Sequence, residues 1–367
     1  MSAYYASNLP KMMRPGLEIL RVFSVGLFCV AVLPAIAQVP RNSSESACAG
    51  CHAAESKTQP ETPMGRALEL PGDDPTLKEH PKLTVRRGPY TYTVETHDNK
   101  STYTVTDGAH TISLPIQWNF GYGAQTWFLE RDGDYYESMV SYYPSINGLD
   151  ITTGDESLKP STLDAAVGRK LQKHEPKDCF GCHASNAVAN EKLDLESLQP
   201  GVTCEHCHKG SSAHLVDASA GEFGSAPPDL RKLSSENISS FCGQCHRTWD
   251  MVIRSHWRGE INVRFQPYRL ANSKCFDGTD PRISCIACHD PHQDIVRQDS
   301  TYDGKCLACH GASPHATTTT SAAAKFCPIA KSNCVSCHMP KVKLPNGLMT
   351  FTDHQIRIVK PGEPYPN

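Results

Sequence analysis

Cys204-Glu205-His206-Cys207-His208 is one of seven copies of the pattern Cys-x-x-Cys-His in this chain. The others are Cys48 to His52, Cys179 to His183, Cys242 to His246, Cys285 to His289, Cys306 to His310 and Cys334 to His338. Chance at this composition supplies about 0.04 copies, so the repetition carries chemistry. Cys-x-x-Cys-His is the attachment signature of c-type haem: two thiols form thioethers to the porphyrin and the adjoining imidazole ligates iron. The thioether residues are therefore Cys48, Cys51, Cys179, Cys182, Cys204, Cys207, Cys242, Cys245, Cys285, Cys288, Cys306, Cys309, Cys334 and Cys337. The proximal ligands are His52, His183, His208, His246, His289, His310 and His338, and the expected cofactors are seven haem c groups.

The 367 residues include 17 cysteines and 17 histidines. With 39% apolar residues and a mean hydropathy of −0.43, several membrane spans are excluded. A net charge of −3 leaves no basic footprint for nucleic acid. Residues 1–37 read as an export signal: Lys11, Arg14 and Arg21 precede an apolar run at residues 22–33, and Ala35-Ile36-Ala37 fits the small-x-small cleavage rule. The address is periplasmic, with no transmembrane span after cleavage, and the compartment suits covalent haem attachment and disulfides alike. Cys29 lies inside the signal. Cys275 and Cys327 are left over and most simply pair with each other.

The motifs divide the chain into a signal at residues 1–37, a first haem segment at 38–81, a β-rich insert at 82–160 and a six-haem cytochrome domain at 161–367. Six motifs crowd into residues 179–338, about 27 residues per haem, too few to build separate cores. The expected fold is that of a multihaem cytochrome c: short α-helices and loops wrapped around covalent haems, with an inserted small antiparallel β module. In that insert, residues 90–96, 101–106, 111–118, 126–130 and 135–143 are β-branched and aromatic, and the first two runs alternate cleanly. Asp98-Asn99, Asp107-Gly108 and Asp132-Gly133 mark turns between them. About five antiparallel strands are expected.

Each six-coordinate iron needs a distal ligand, usually His or Met. Ten histidines remain. His292, His315 and His214 follow proximal histidines too closely to cross to the far face of the same ring, so as ligands they reach neighbouring haems. His354, His174, His256 and His80 are further candidates. His97 and His110 sit in strand or turn runs, and His206 lies inside an attachment loop; ordinary roles suit all three better. Met64 has two readings, a thioether ligand to the first haem or a residue packing on its porphyrin from a short helix at residues 63–70.

Several stretches resemble the multihaem c-type cytochromes related to the tetrahaem cytochrome of ammonia-oxidising bacteria. Gly201 to His208 followed by His214 is similar to that group's Gly-Val-x-Cys-Glu-x-Cys-His-Gly-Pro-Gly-x-x-His run, with Lys209-Gly210-Ser211 in place of Gly-Pro-Gly. Cys285 to His292 resembles its Cys-x-x-Cys-His-x-Pro-His element, whose last His commonly ligates a different haem. Cys334 to Pro340 followed by Phe351-Thr352-Asp353-His354 resembles a C-terminal haem with a late distal His. Thr62 to Ala67 is similar to the helix after the first haem. The nitrite-reducing branch carries a Cys-x-x-Cys-Lys site, whereas all seven sites here end in His.

The resemblance implies a periplasmic electron-transfer protein exchanging electrons with periplasmic or membrane-bound redox proteins. The alternative is a multihaem oxidoreductase acting on a small nitrogen or sulfur compound at one haem with an open distal position. Arg254, Arg258, Arg264, His256 and Tyr142-Tyr143 are the residues offered to such a site.

Overall fold

The computed structural model describes residues 45–311 and 327–366. The signal segment, Cys29 and His315 lie outside them.

Two short helices, α1 (Glu45–Ala49) and α2 (Ala53–Thr58), flank the first motif. A two-residue strand, β1 (Leu68–Glu69), and helix α3 (Pro75–Glu79) lead into β2 (Lys82–Arg87), β3 (Tyr90–His97), β4 (Lys100–Thr106), β5 (Thr111–Phe120), β6 (Thr126–Arg131) and β7 (Asp134–Ser138). These join β10 (Gly168–Lys170) in an eight-stranded antiparallel sheet of order β10-β7-β6-β5-β4-β3-β2, with β1 also pairing with β5. Strands β8 (Val140–Tyr143) and β9 (Gly148–Ile151) form a separate hairpin, and α4 (Leu163–Val167) precedes β10.

The sheet is larger than the five runs suggested. Those runs supply β3 to β7, the last continuing into β8, and β1, β2 and β10 complete the eight strands. The turn chemistry holds: Asp98-Asn99 and Asp132-Gly133 each take positive φ at both positions of a two-residue hairpin loop. Residues 63–70 are a turn and strand β1 rather than a helix. The Gly65 N–H donates to Thr62 Oγ1 at 3.0 Å, and Val202 N–H donates to the Met64 carbonyl at 3.0 Å, so the backbone bonds outward instead of down a helix.

Alternation in β3, β4 and β6 places Tyr92, Val94, Tyr103, Val105, Trp127 and Leu129 in one buried cluster with Leu77, Met139 and Val167. A β-bulge between Ile116 and Trp118 then changes which face β5 presents. Ile116 belongs to the first cluster. Trp118 and Phe120, beyond the bulge, join Leu68, Phe128 and Phe180 in a second cluster. Phe180 lies inside the second attachment motif, on helix α5 (Glu175–His183). Its ring meets Trp118 and Phe120 edge-on, at centroid distances of 5.0 Å each. The bulge thus re-aims two aromatics to dock a haem-attachment helix on the sheet.

Neither cluster includes a residue beyond Leu198. The remaining chain is chiefly α6 (Cys204–Cys207), α7 (Ser211–Ser219), α8 (Ser235–His246), α9 (Trp249–Arg254), α10 (Gln266–Ala271), α11 (Cys285–Cys288), α12 (Asp303–His310) and α13 (Cys334–His338), with short 3-10 segments and an antiparallel strand pair, Lys341–Lys343 with Thr350–Thr352. Among the described residues no helix is long and apolar enough to cross a membrane.

Phe180→Ala removes the ring that ties α5 to the sheet and should destabilise the protein by about 3–4 kcal/mol in chemical denaturation; a loss under 1 kcal/mol would contradict the docking role. Asp155 is 5% exposed, and burial, then Glu137, pushes its carboxyl up to about 6 against the pull of Arg169. Ionising it costs the folded state more than the unfolded chain, where carboxylates titrate near 4. Its contribution to stability is therefore fullest below about pH 4 and lost as pH rises through about 6. Asp155→Asn should raise stability at pH 7.5 by about 1 kcal/mol and give no gain at pH 4, read by thermal unfolding at the two pH values.

Candidate functional site

A cavity of about 3840 Å³ runs through the α-helical part of the chain and up to the sheet, and it carries the chemistry. All fourteen motif cysteines and all seven motif histidines line it. Each motif sits on a helix or helical turn, so its two thiols and its imidazole face the same space.

The attachment segments adjoin one another. His52 lies close enough to His208 for their charges to interact, as Cys207 does to Cys242 and Cys245. The Cys182 and Cys245 thiols are in hydrogen-bond reach, as are those of Cys242 with Cys285 and Cys306 with Cys334. Cys288 neighbours Cys306. The order in space is first, third, fourth, fifth, sixth and seventh motif, with the second branching from the fourth.

Two pairs of imidazoles face each other across the cavity. His208 and His292 have ring centroids 6.1 Å apart and planes 9° from parallel. His289 and His354 are 6.2 Å apart at 43°. Each pair would be able to hold one metal ion between its rings. Both pairs join histidines distant in sequence, and His292 faces the third motif rather than its own neighbour His289.

The ring nitrogens are arranged for ligation. Nδ1 of His183 donates to the Ala67 carbonyl at 2.9 Å, Nδ1 of His338 to the Arg357 carbonyl at 2.8 Å, and Nδ1 of His354 to the Thr352 carbonyl at 3.0 Å. A carbonyl only accepts, so each Nδ1 carries the proton and Nε2 keeps its lone pair. Burial lowers the pKa of His183, His208, His246 and His289, and it pushes His354 down to about 4, so the neutral ring prevails. His214, on α7, has a buried Nδ1 with no partner among the described residues. Paired thiols, neutral imidazoles and orphaned ring nitrogens around one apolar space fit covalent haem.

His354 owes its place to a buried ion pair. Arg269, on α10, is fully buried and donates to both carboxylate oxygens of Asp353 at 2.8 and 2.9 Å. It also donates to Gln355 Oε1 at 2.6 Å and the Pro366 carbonyl at 2.7 Å, and Arg357 adds a bond to Asp353 at 2.7 Å. Burial raises the Asp353 pKa, and the bonds from Arg269 and the Gln355 N–H more than offset this, leaving it below the usual range. Ser273 clamps the same segment, donating to the His354 carbonyl at 3.1 Å and accepting from Ile356 N–H at 2.8 Å.

Of the distal candidates, Met64, His214, His292 and His354 line the cavity, and so does His206. His80, His174 and His256 do not. His80 shares a hydrogen bond of 3.2 Å with the Tyr142 hydroxyl. His174 occupies the N-cap of α5, and His256 is an exposed turn residue with φ +54°. Of the residues offered to an open site, Arg264 and Tyr143 reach the cavity; Arg254, Arg258 and Tyr142 do not. Met339 and Met349 line it without having been singled out. Met339 directly follows His338, a position that spacing arguments pass over. Cys275 and Cys327 are not joined. Cys275 lies near Cys306 and Cys309, and Cys327 accepts from the Ile329 and Ala330 N–H groups, so each meets other neighbours first.

Residues 151–209, which hold the second and third motifs, match the family described as Cytochrome c554 and c-prime. No curated protein matches the chain. Among solved structures, the crystal structure of outer cell wall cytochrome OcwA is similar in fold, with a TM-score of 0.50 at 13% identity, covering 87% of this chain and 80% of that one. The attachment motifs, the matched stretch and the shared fold all point in one direction: residues 151–209 are similar to a cytochrome c family, and the chain is similar in fold to a solved cytochrome.

Proposed function

We propose that the chain is an exported, periplasmic electron-transfer protein with seven covalently bound haem c groups. The observation that carries this reading is the single cavity into which all seven attachment segments open, each adjoining at least one other. Haem iron supplies the one-electron ferric/ferrous couple. The chain's own residues do the rest: the thiols fix each porphyrin edge, the imidazoles set ligand field and potential, and the apolar walls keep water from the irons. His208 with His292 serves the third haem, and His289 with His354 the fifth. Because His292 sits three residues from His289, one short segment ties the third haem to the fifth. His214, Met64, Met339 and Met349 supply further distal positions, with His315 outside the described residues. The partners are periplasmic or membrane-bound redox proteins.

A pyridine haemochrome assay on the purified protein should give seven haems per chain, and ferric EPR should show low-spin signals throughout. The second reading is a reductase for a small nitrogen or sulfur compound. It is favoured by one observation: among the described residues, fewer distal imidazoles than motifs line the cavity. A high-spin signal that responds to nitrite or hydroxylamine would overturn the pure carrier.

The ligand pairing has its own test. His292→Ala should convert one haem to high spin and His354→Ala a different one, each reversed by added imidazole. Spectra unchanged by either substitution would remove that pairing.

A further inference from the structure

Arg247 and Arg264, like Arg297, line the cavity without a carboxylate partner among the described residues. Arg66, Arg169 and Arg269 each bond a carboxylate, at 2.9, 2.7 and 2.8 Å. Among the described residues Arg247 and Arg264 make no ion pair. Arg264 ends the 3-10 segment Gly259–Arg264 and is exposed on the cavity side. Arg247 follows the fourth motif with φ +68°, a backbone conformation that costs an arginine about 1 kcal/mol, and its guanidinium stands 5.6 Å over the Trp257 ring. Both line the cavity. Arg247 lies close enough to Arg264 to act on its charge, and both act on His183 of the second motif. Arg247 also acts on His246 of the fourth. The acid within electrostatic reach of Arg264 is Glu137, already committed to Arg169 at 2.7 Å.

Two neighbouring guanidinium groups that face one cavity repel each other unless an anion lies between them. Guanidinium recognises planar carboxylate through paired, charge-assisted hydrogen bonds.

We propose that Arg247 and Arg264 form a carboxylate clamp between the second and fourth attachment sites, taking a haem propionate. This rests on the seven-haem reading. A free oxyanion such as nitrite has the same chemistry and is the other source. Fixed positive charge beside a haem favours its reduced form, so the clamp raises the potentials of the haems it holds.

The test is a spectropotentiometric titration of the holo-protein, with and without nitrite, for wild type, Arg264→Gln, Arg264→Lys and Arg247→Gln. Arg264→Gln should lower one or two midpoints, shifting the reduction equilibrium about tenfold, or about 59 mV for one electron. Arg264→Lys should recover most of the loss, which a merely structural role would not predict. Wild-type potentials indifferent to nitrite assign the clamp to propionate. Wild-type potentials that move with nitrite, and cease to move in Arg264→Gln, assign it to the free oxyanion. Should Arg264→Gln fail to accumulate, the partly exposed Arg247→Gln carries the same comparison. Unchanged potentials and nitrite response in Arg264→Gln and Arg247→Gln alike would overturn the clamp. A wild-type haem count below seven would strike the carrier reading, while the nitrite comparison would still decide the clamp.

Discussion

The constraint on which this molecule depends is the convergence of seven Cys-x-x-Cys-His turns on one cavity. The two hydrophobic clusters end by Leu198, yet five attachment motifs follow. Segments of about 27 residues cannot bury enough apolar surface to fold alone. What they have instead is a common apolar space faced by their own thiols and imidazoles. On the proposed seven-haem reading, the chain is the shell of a core that the haems would provide.

The sheet gives that shell a fixed edge. One face closes on Tyr92, Tyr103 and Trp127. Past the bulge after Ile116, Trp118 and Phe120 turn to the other face and grip Phe180, so the second motif stands on a β scaffold. At the far end of the chain Arg269 and Asp353 do the corresponding task for His354. A buried ion pair is a poor source of net stability, since desolvation consumes much of the attraction, but removing one partner is heavily penalised. Here it fixes the register of a tail that would otherwise have no reason to lie beside the fifth motif. Arg247 and Arg264 at the cavity wall are the complement: charge with no ion-pair partner among the described residues.

Much of the site was legible from spacing alone, because thioether attachment requires two thiols and an imidazole on one turn. The hairpin loops were legible too, since Asp98-Asn99 and Asp132-Gly133 tolerate positive φ. The β1 and β10 strands were not, being too short to show a period. The turn at Met64 was not, because its pairing partner is Val202. Nor was the sorting of histidines: His80 and His214 look alike in sequence, and only packing sends one to Tyr142 and the other to the cavity.

By itself the sequence determined the cofactor chemistry, because covalent haem attachment is local and is written in five consecutive residues. It also determined that the haem-rich part would lack a conventional core, because motif density leaves too few residues to bury. Only the tertiary structure decided which imidazole faces which. His292 opposite His208 and His354 opposite His289 are contacts between segments 84 and 65 residues apart. Such contacts follow from how loops close around a shared space, and no local preference of the chain encodes that.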